Sequence, residues 1–256
     1  MTFKTIRITL LFLILAYVGI DTVLSNSRAT SWKQTLRVVI YPINADGSAR
    51  ADEYISQLDL SQFDSINSAL EKQSRRYAMN LDSPVRIRIA PKMNFLPPKL
   101  PVKRSGLSVL WWSIKLRFWS WKEDNFKGIR PHIRAYALYY DPKTHPVLKH
   151  STGLQKAKIA INNLFADKKY TRQNNVVILH ELLHTLGATD KYDLSSGLPN
   201  FPDGYAEPQR KPLYPQRKAE IMGGQIALSE VIAKIPKGLK NIVIGPQTAK
   251  EIGWIK

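Results

Sequence analysis

The sequence predicts an α/β (α+β) layered domain behind an N-terminal apolar segment. Three observations carry that expectation. Short β-branched runs recur between residues 36 and 165, an amphipathic helical stretch separates the first two, and a helix apolar on nearly all sides follows the last. No internal repeat or low-complexity tract interrupts this order.

Taken in order, Lys4 and Arg7 precede an uncharged, mostly apolar run of 13 residues, Ile8 to Ile20; Asp21 breaks the run, and Val23 and Leu24 extend it to 17. A basic flank before an apolar core marks residues 1–24 as a signal anchor or signal peptide, although a full span takes about 20 residues. The only stretch near a cleavage signal, SNSRA ending at Ala29, matches it poorly, which favours an uncleaved anchor with Lys4 and Arg7 on the cytoplasmic side. The chain is then expected to be membrane-anchored and to face the extracytoplasmic side (periplasm or cell surface), or to be secreted if the segment is cleaved. Residues 25–35 are polar and read as a linker.

LRVVIYPI, Leu36 to Ile43, reads as a strand, closed by the turn residues NADGS. Phe63, Ile66, Leu70 and Tyr77 recur at helical spacing and predict a helix over about Leu60 to Met79. PVRIRIA, Pro84 to Ala90, alternates as a strand, and the Pro- and Lys-rich run from Pro91 to Gly106 reads as an exposed loop. Leu107 to Lys122 satisfies two periods. Trp112, Ile114, Leu116 and Phe118 alternate, while Leu107, Trp111, Ile114, Phe118 and Trp121 mark one helical face; four of the six tryptophans lie here. The segment is either a core element with a wet basic side or an interfacial segment that meets a membrane or an anionic polymer. His132 to Tyr140 and Lys158 to Phe165 read as further strands, Leu194 to Lys218 as a long loop, and Pro246 to Ile252 as a closing helix.

The composition sets outer limits. With 256 residues, 44% of them hydrophobic, the chain can build one well-cored domain or two lobes. It has no cysteine, which excludes disulfides, thiolate metal sites, cysteine nucleophiles and a cysteine-based inhibitory switch. A net charge of +18 favours an anionic surface partner. No nucleic acid is expected, because the chain carries an export segment and no nucleic-acid-binding signature.

Only five histidines are present, and two fall in VVILHELLHTLGATDKYD, Val176 to Asp193. The helix expected over Val176 to Leu186 is capped by Asn174 or Asn175 and ended by Gly187, which tolerates positive φ. Four residues advance about 400° along a helix, so His180 and His184 share one face, one turn apart, where both can reach one metal. Glu181, about 100° away, can approach a metal-held water without ligating the metal. This His-Glu-x-x-His pattern has the mechanics of zinc proteases. Chance gives about 0.003 such patterns in a chain of this composition. A catalytic zinc needs a third protein ligand and an open position. Gly187 lets the backbone turn so that Asp190 comes back toward the metal; Asp193, Glu207 and Glu220 are the alternatives.

HELLHTLGATD resembles the extended zinc motif of the metzincin clan of metallopeptidases, in its variant with an aspartate third ligand. The resemblance implies Zn2+ held by His180, His184 and Asp190, with Glu181 as general base. AEIMGG supports it, because Met222 then matches the methionine turn that floors the histidines in that clan. The position two residues on is Gly224 rather than a tyrosine, so an oxyanion-stabilising tyrosine would have to come from elsewhere, such as Tyr192 or Tyr205. The motif-level resemblance covers about Asn174 to Ile255. It implies a two-lobed zincin-like domain over residues 36–256 with a mixed sheet, an upper lobe at about 36–187, a lower lobe at about 188–256, and the active-site helix at the seam. The expected activity is hydrolysis of a protein or peptide substrate that pairs with an edge strand. Two rivals share the metal motif: a zinc amidase acting on cell-wall peptides, and a non-catalytic, membrane-associated zinc-containing binding module.

Overall fold

The computed structural model describes residues 3–101 and 105–256; residues 102–104 of the loop expected from Pro91 to Gly106 lie outside the described residues. In chain order the elements are α1 (Phe3–Thr30), β1 (Leu36–Asn44), α2 (Ala49–Ser56), α3 (Asp64–Arg75), β2 (Val85–Ile89), α4 (Gly106–Lys122), β3 (Ile133–Tyr140), β4 (Thr152–Leu154), β5 (Ile159–Phe165) and α5 (Thr171–Leu186). The two-residue strands β6 (Ala219–Glu220), β7 (Ile226–Ala227), β8 (Ala233–Lys234) and β9 (Ile242–Val243) follow, and α6 (Pro246–Glu251) closes the series.

The first five strands form one mixed sheet in the order β2-β1-β3-β5-β4; β4 pairs antiparallel with β5, and the other neighbours are parallel. Helices cover both faces. Val38 and Ile40 of β1 join one core with α3 and α5, whereas Val39, Tyr41 and Ile43 join a second core with Trp112 and Leu116 of α4. Successive strand residues point to opposite faces, so a strand covered on both reads as a continuous apolar run, as LRVVIYPI does. β2 lies at an edge and shows the contrasting pattern, with Val85 and Ile87 buried and Arg86 and Arg88 exposed. The chain after α5 builds the smaller remainder, in which β6 pairs with β9 and β7 with β8.

Several expectations change. The helix expected over Leu60 to Met79 is a 3₁₀ turn, Leu60–Phe63, followed by α3, which ends at Arg75. An unexpected helix, α2, begins where turn residues were expected to close a strand, because the Ser48 side chain accepts from the Ala51 amide and caps it. The ambiguous tryptophan-rich segment is a helix, α4. The strand β4, unpredicted by any periodicity, forms the second edge of the sheet.

The N-terminal segment is helical to Thr30, into the stretch expected to be a linker. Ala29 and Trp32 are buried there, and Trp32 Nε1 donates to Ile252 O at 2.7 Å. Asn26 accepts from buried Lys158 at 3.0 Å, and the same ammonium donates to Thr185 O at 2.8 Å near the C-terminal end of α5. Earlier in α1, Phe3, Leu10, Phe12, Leu13 and Ile20 are exposed. Among the described residues no helix is long and apolar enough to cross a membrane.

Candidate metal centre

The helix α5 begins at Thr171, five residues before the expected start at Val176. Asn174 and Asn175 are therefore interior residues rather than caps. Their amides bond outward, Asn174 Nδ2 to Phe165 O and Asn175 Nδ2 to Gln62 O and Ser65 Oγ, which ties α5 to β5 and α3. At the other end Gly187, at φ 111°, takes the left-handed conformation and stops the helix as expected.

The turn brings Asp190 back beside the two histidines. Asp190 Oδ1 lies 3.2 Å from His180 Nε2 and 3.1 Å from His184 Nε2, and the two Nε2 atoms are 3.1 Å apart. The three ligand atoms thus form a nearly equilateral triangle. A tetrahedral ion with bonds of about 2.0–2.1 Å has ligand–ligand edges of about 3.3–3.4 Å, close to these separations.

The hydrogen bonds behind the triangle decide its chemistry. His180 Nδ1 is 2.9 Å from Ile221 O, and His184 Nδ1 is 2.7 Å from Ala188 O. A carbonyl only accepts, so each Nδ1 carries a proton and each Nε2 faces Asp190. The three ligand atoms converge there, hydrogen-bonded through a ring proton that a cation can replace. The electrostatics of the triangle itself favour that proton. Burial alone would lower the pKa of His180, but the hydrogen bond to Asp190 and the charge of Glu181 outweigh it and hold the imidazole above its ordinary value. Burial would raise Asp190, but its hydrogen bonds to His180 and His184 hold it well below the usual carboxylate range. The donor set of two imidazoles and one carboxylate fits a divalent first-row metal, zinc among them.

Glu181 is buried, and its Oε2 has no hydrogen-bond partner. Desolvation pushes its pKa up, and the neighbouring histidines pull it back only in part. It lines a cavity of about 440 Å³ together with His180 and Tyr192; Phe165, Val176, Val177 and Ile221 give that cavity apolar walls. Burial and the charges of Asp190 and Glu181 push the Tyr192 phenol up to about 12, so it keeps its proton. Tyr205, the other tyrosine considered, instead pairs its hydroxyl with Tyr214 at 2.8 Å.

The alternative third ligands lie elsewhere. Asp193 is taken up by Ser195 and Ser196, and Glu207 lies beside the Arg217 amide. Glu220 is fully buried, and its two oxygens accept from Met222 N, Gly223 N, Gly245 N and Thr248 Oγ1 at 2.6–3.0 Å. Burial pushes the Glu220 carboxyl up, and the donors from Gly245, Thr248 and Gly223 pull it back. Its role is to hold the 3₁₀ turn Ile221–Gly223, which contains fully buried Met222 and supplies the carbonyl that orients His180.

Two positioning residues carried no local signal in the sequence. Glu251 of α6 accepts from Thr189 N, Thr189 Oγ1 and Lys191 Nζ at 2.7–2.9 Å, so it grips the residues on both sides of Asp190. Gly153, in the edge strand β4, lies against α5. A Cβ there would fall well inside van der Waals contact with Glu181 O and His184 Cβ. Only glycine lets the strand approach the helix so closely. Comparison of the chain with protein-family models and with curated proteins found no match.

Proposed function

We propose that this chain is a zinc-dependent endopeptidase of metzincin type. The observation that carries the reading is the convergence of ligand atoms from His180, His184 and Asp190 beside Glu181, whose Oε2 has no hydrogen-bond partner, next to the edge strand β4. Zinc, when bound, supplies a Lewis acid that polarises a carbonyl and acidifies water.

The remaining work falls to the chain. An extended peptide pairs with the free edge of β4 and places one apolar side chain in the 440 Å³ cavity. Glu181 takes a proton from the attacking water and returns it to the leaving amine; its desolvation makes it the stronger base. Tyr192, protonated and lining the same cavity, donates to the oxygen that gains charge as the carbonyl is attacked. Met222 is fully buried in the turn whose Ile221 carbonyl bonds His180, which supports the reading of this turn as the methionine turn. The basic flank of Lys4 and Arg7 and the exposed apolar side chains of α1 support attachment of the N-terminal segment to a membrane, although no described helix is long and apolar enough to cross one.

The test pairs zinc content with cleavage of an unfolded protein and of isolated cell-wall peptide. The wild-type chain is expected to hold one zinc and to cleave protein. Glu181→Gln should keep the metal and lose about 10²–10⁴-fold in kcat, and Asp190→Ala should lose the metal. Cleavage of cell-wall peptide alone would turn the reading to an amidase. A metal-loaded wild type that Glu181→Gln leaves unchanged would sink catalysis altogether.

A further inference from the structure

The helix α4 has two faces of opposite character. Trp112, Leu116 and Ser120 are buried against the sheet, where Tyr136 donates its hydroxyl hydrogen to Ser120 Oγ at 2.7 Å. The opposite face carries Leu107, Leu110, Trp111, Phe118 and Trp121, each between 52% and 81% exposed. These positions follow helical spacing, so they form one stripe of large apolar side chains turned to solvent. Trp112 Nε1 donates to Pro98 O at 2.9 Å and holds against α4 the loop in which Phe95, Leu96 and Leu100 are also exposed. An exposed apolar patch of this kind marks an interaction surface.

We infer that α4 and the loop before it dock on an anionic lipid surface. Charge selects this occupant. The described loop and helix, residues 90–101 and 105–122, carry five Lys or Arg (Lys92, Lys99, Lys115, Arg117 and Lys122) and no Asp or Glu. Lys115 lies over the Trp111 ring at 5.6 Å, and Lys122 closes the helix beside Trp121. Long cations of this type keep their ammonium among headgroups while their stems and the neighbouring indoles settle at the apolar boundary. The surface is separate from the metal centre, because α4 covers the sheet face opposite α5. The inference therefore stands or falls apart from the catalytic reading.

The chain supplies its own probe. Of its six tryptophans, only Trp111 and Trp121 are largely exposed, and α1 contains none. Lipids brominated near the headgroup end of the chain, in vesicles of phosphatidylglycerol and phosphatidylcholine, therefore report on α4 even if α1 also enters the bilayer. With the full chain, roughly a third of the emission should be quenched, two indoles in six. Trp111→Ala with Trp121→Ala should abolish the quenching, and pure phosphatidylcholine should weaken it. Overturning results are failure of the chain to co-sediment with anionic vesicles, co-sedimentation without quenching, or loss of aqueous acrylamide access to Trp111 and Trp121 in a lipid-free dimer. The last result would assign the face to a second copy. The wild-type quenching decides the matter even if the double variant fails to fold.

Discussion

The helices α4 and α5 lie on opposite faces of one sheet and depart from ordinary burial in opposite directions. Both are rich in apolar residues around most of their circumference. In α5 this reflects near-complete burial, and the exceptions are polar: Asn174, Asn175, Glu181 and Thr185 are buried, each within 6% of full burial. In α4 the exceptions are apolar, with Leu107 81% and Trp121 73% exposed. A buried polar group costs free energy unless it has a partner, and an exposed indole forgoes the stabilisation that burial would bring. On α5 the amides of Asn174 and Asn175 tie the helix to β5 and α3, while Glu181 keeps an unpartnered oxygen beside the candidate metal centre; on α4 the apolar groups offer a surface.

Substitutions on α4 give the widest separation. Trp112→Ala should cost about 3–5 kcal/mol and lower Tm by roughly 10 °C, whereas Trp111→Ala, one residue away, should change stability by no more than about 0.5 kcal/mol. Equal effects of the two in thermal unfolding would mean that the outer face is covered by packing in solution.

Gly153→Ala tests how tightly β4 is set against α5. The new Cβ must displace the strand or the helix, at a cost of about 1–3 kcal/mol, and the proposed peptidase activity should fall with it because Glu181 and His184 are the groups displaced. Unchanged stability and turnover would show that the edge strand has room to spare and does not position the catalytic groups.

A further effect, confined to alkaline pH, lies at the junction of α1 and α5. Desolvation lowers the pKa of Lys158 from 10.5 to about 8. The unfolded chain then holds this proton to higher pH than the fold does, so stability rises as pH rises from about 8 toward 10.5 and is flat in this contribution below that window. Its size is on the order of 1–3 kcal/mol, after allowing for the bonds from the ammonium to Asn26 and Thr185. Comparing urea unfolding of the wild type and Lys158→Met across this range isolates the slope, which should be absent from the variant.

Much of this architecture was legible in the residues. β1, β2, β3 and β5 appear close to where β-branched runs predict them, and α6 lies within the expected closing helix. The grouping of His180, His184 and Asp190 follows from helical spacing and one glycine. Long-range features were not legible. β4 has three residues, one of them glycine, which is too short for a period to register, and its place is set by pairing with β5. The start of α5 was misplaced because asparagine favours caps in isolation; here the tertiary bonds of Asn174 and Asn175 override that preference. Choosing among four carboxylates for the third ligand also needed the fold, since Glu220 spends all its acceptor capacity on a turn and a helix start distant in sequence.

That last feature has a consequence in time. Glu220 reaches forward to Gly245 and Thr248, and the turn it holds orients His180; Glu251 reaches back to steady the residues flanking Asp190. The ligands at 180–190 leave the ribosome about sixty residues before position 251. At roughly 5–20 residues per second, that leaves them without their supports for several seconds. On the proposed peptidase reading, the centre is not complete until the downstream segment has emerged and folded back, so the order of synthesis would shield the nascent chain from that activity.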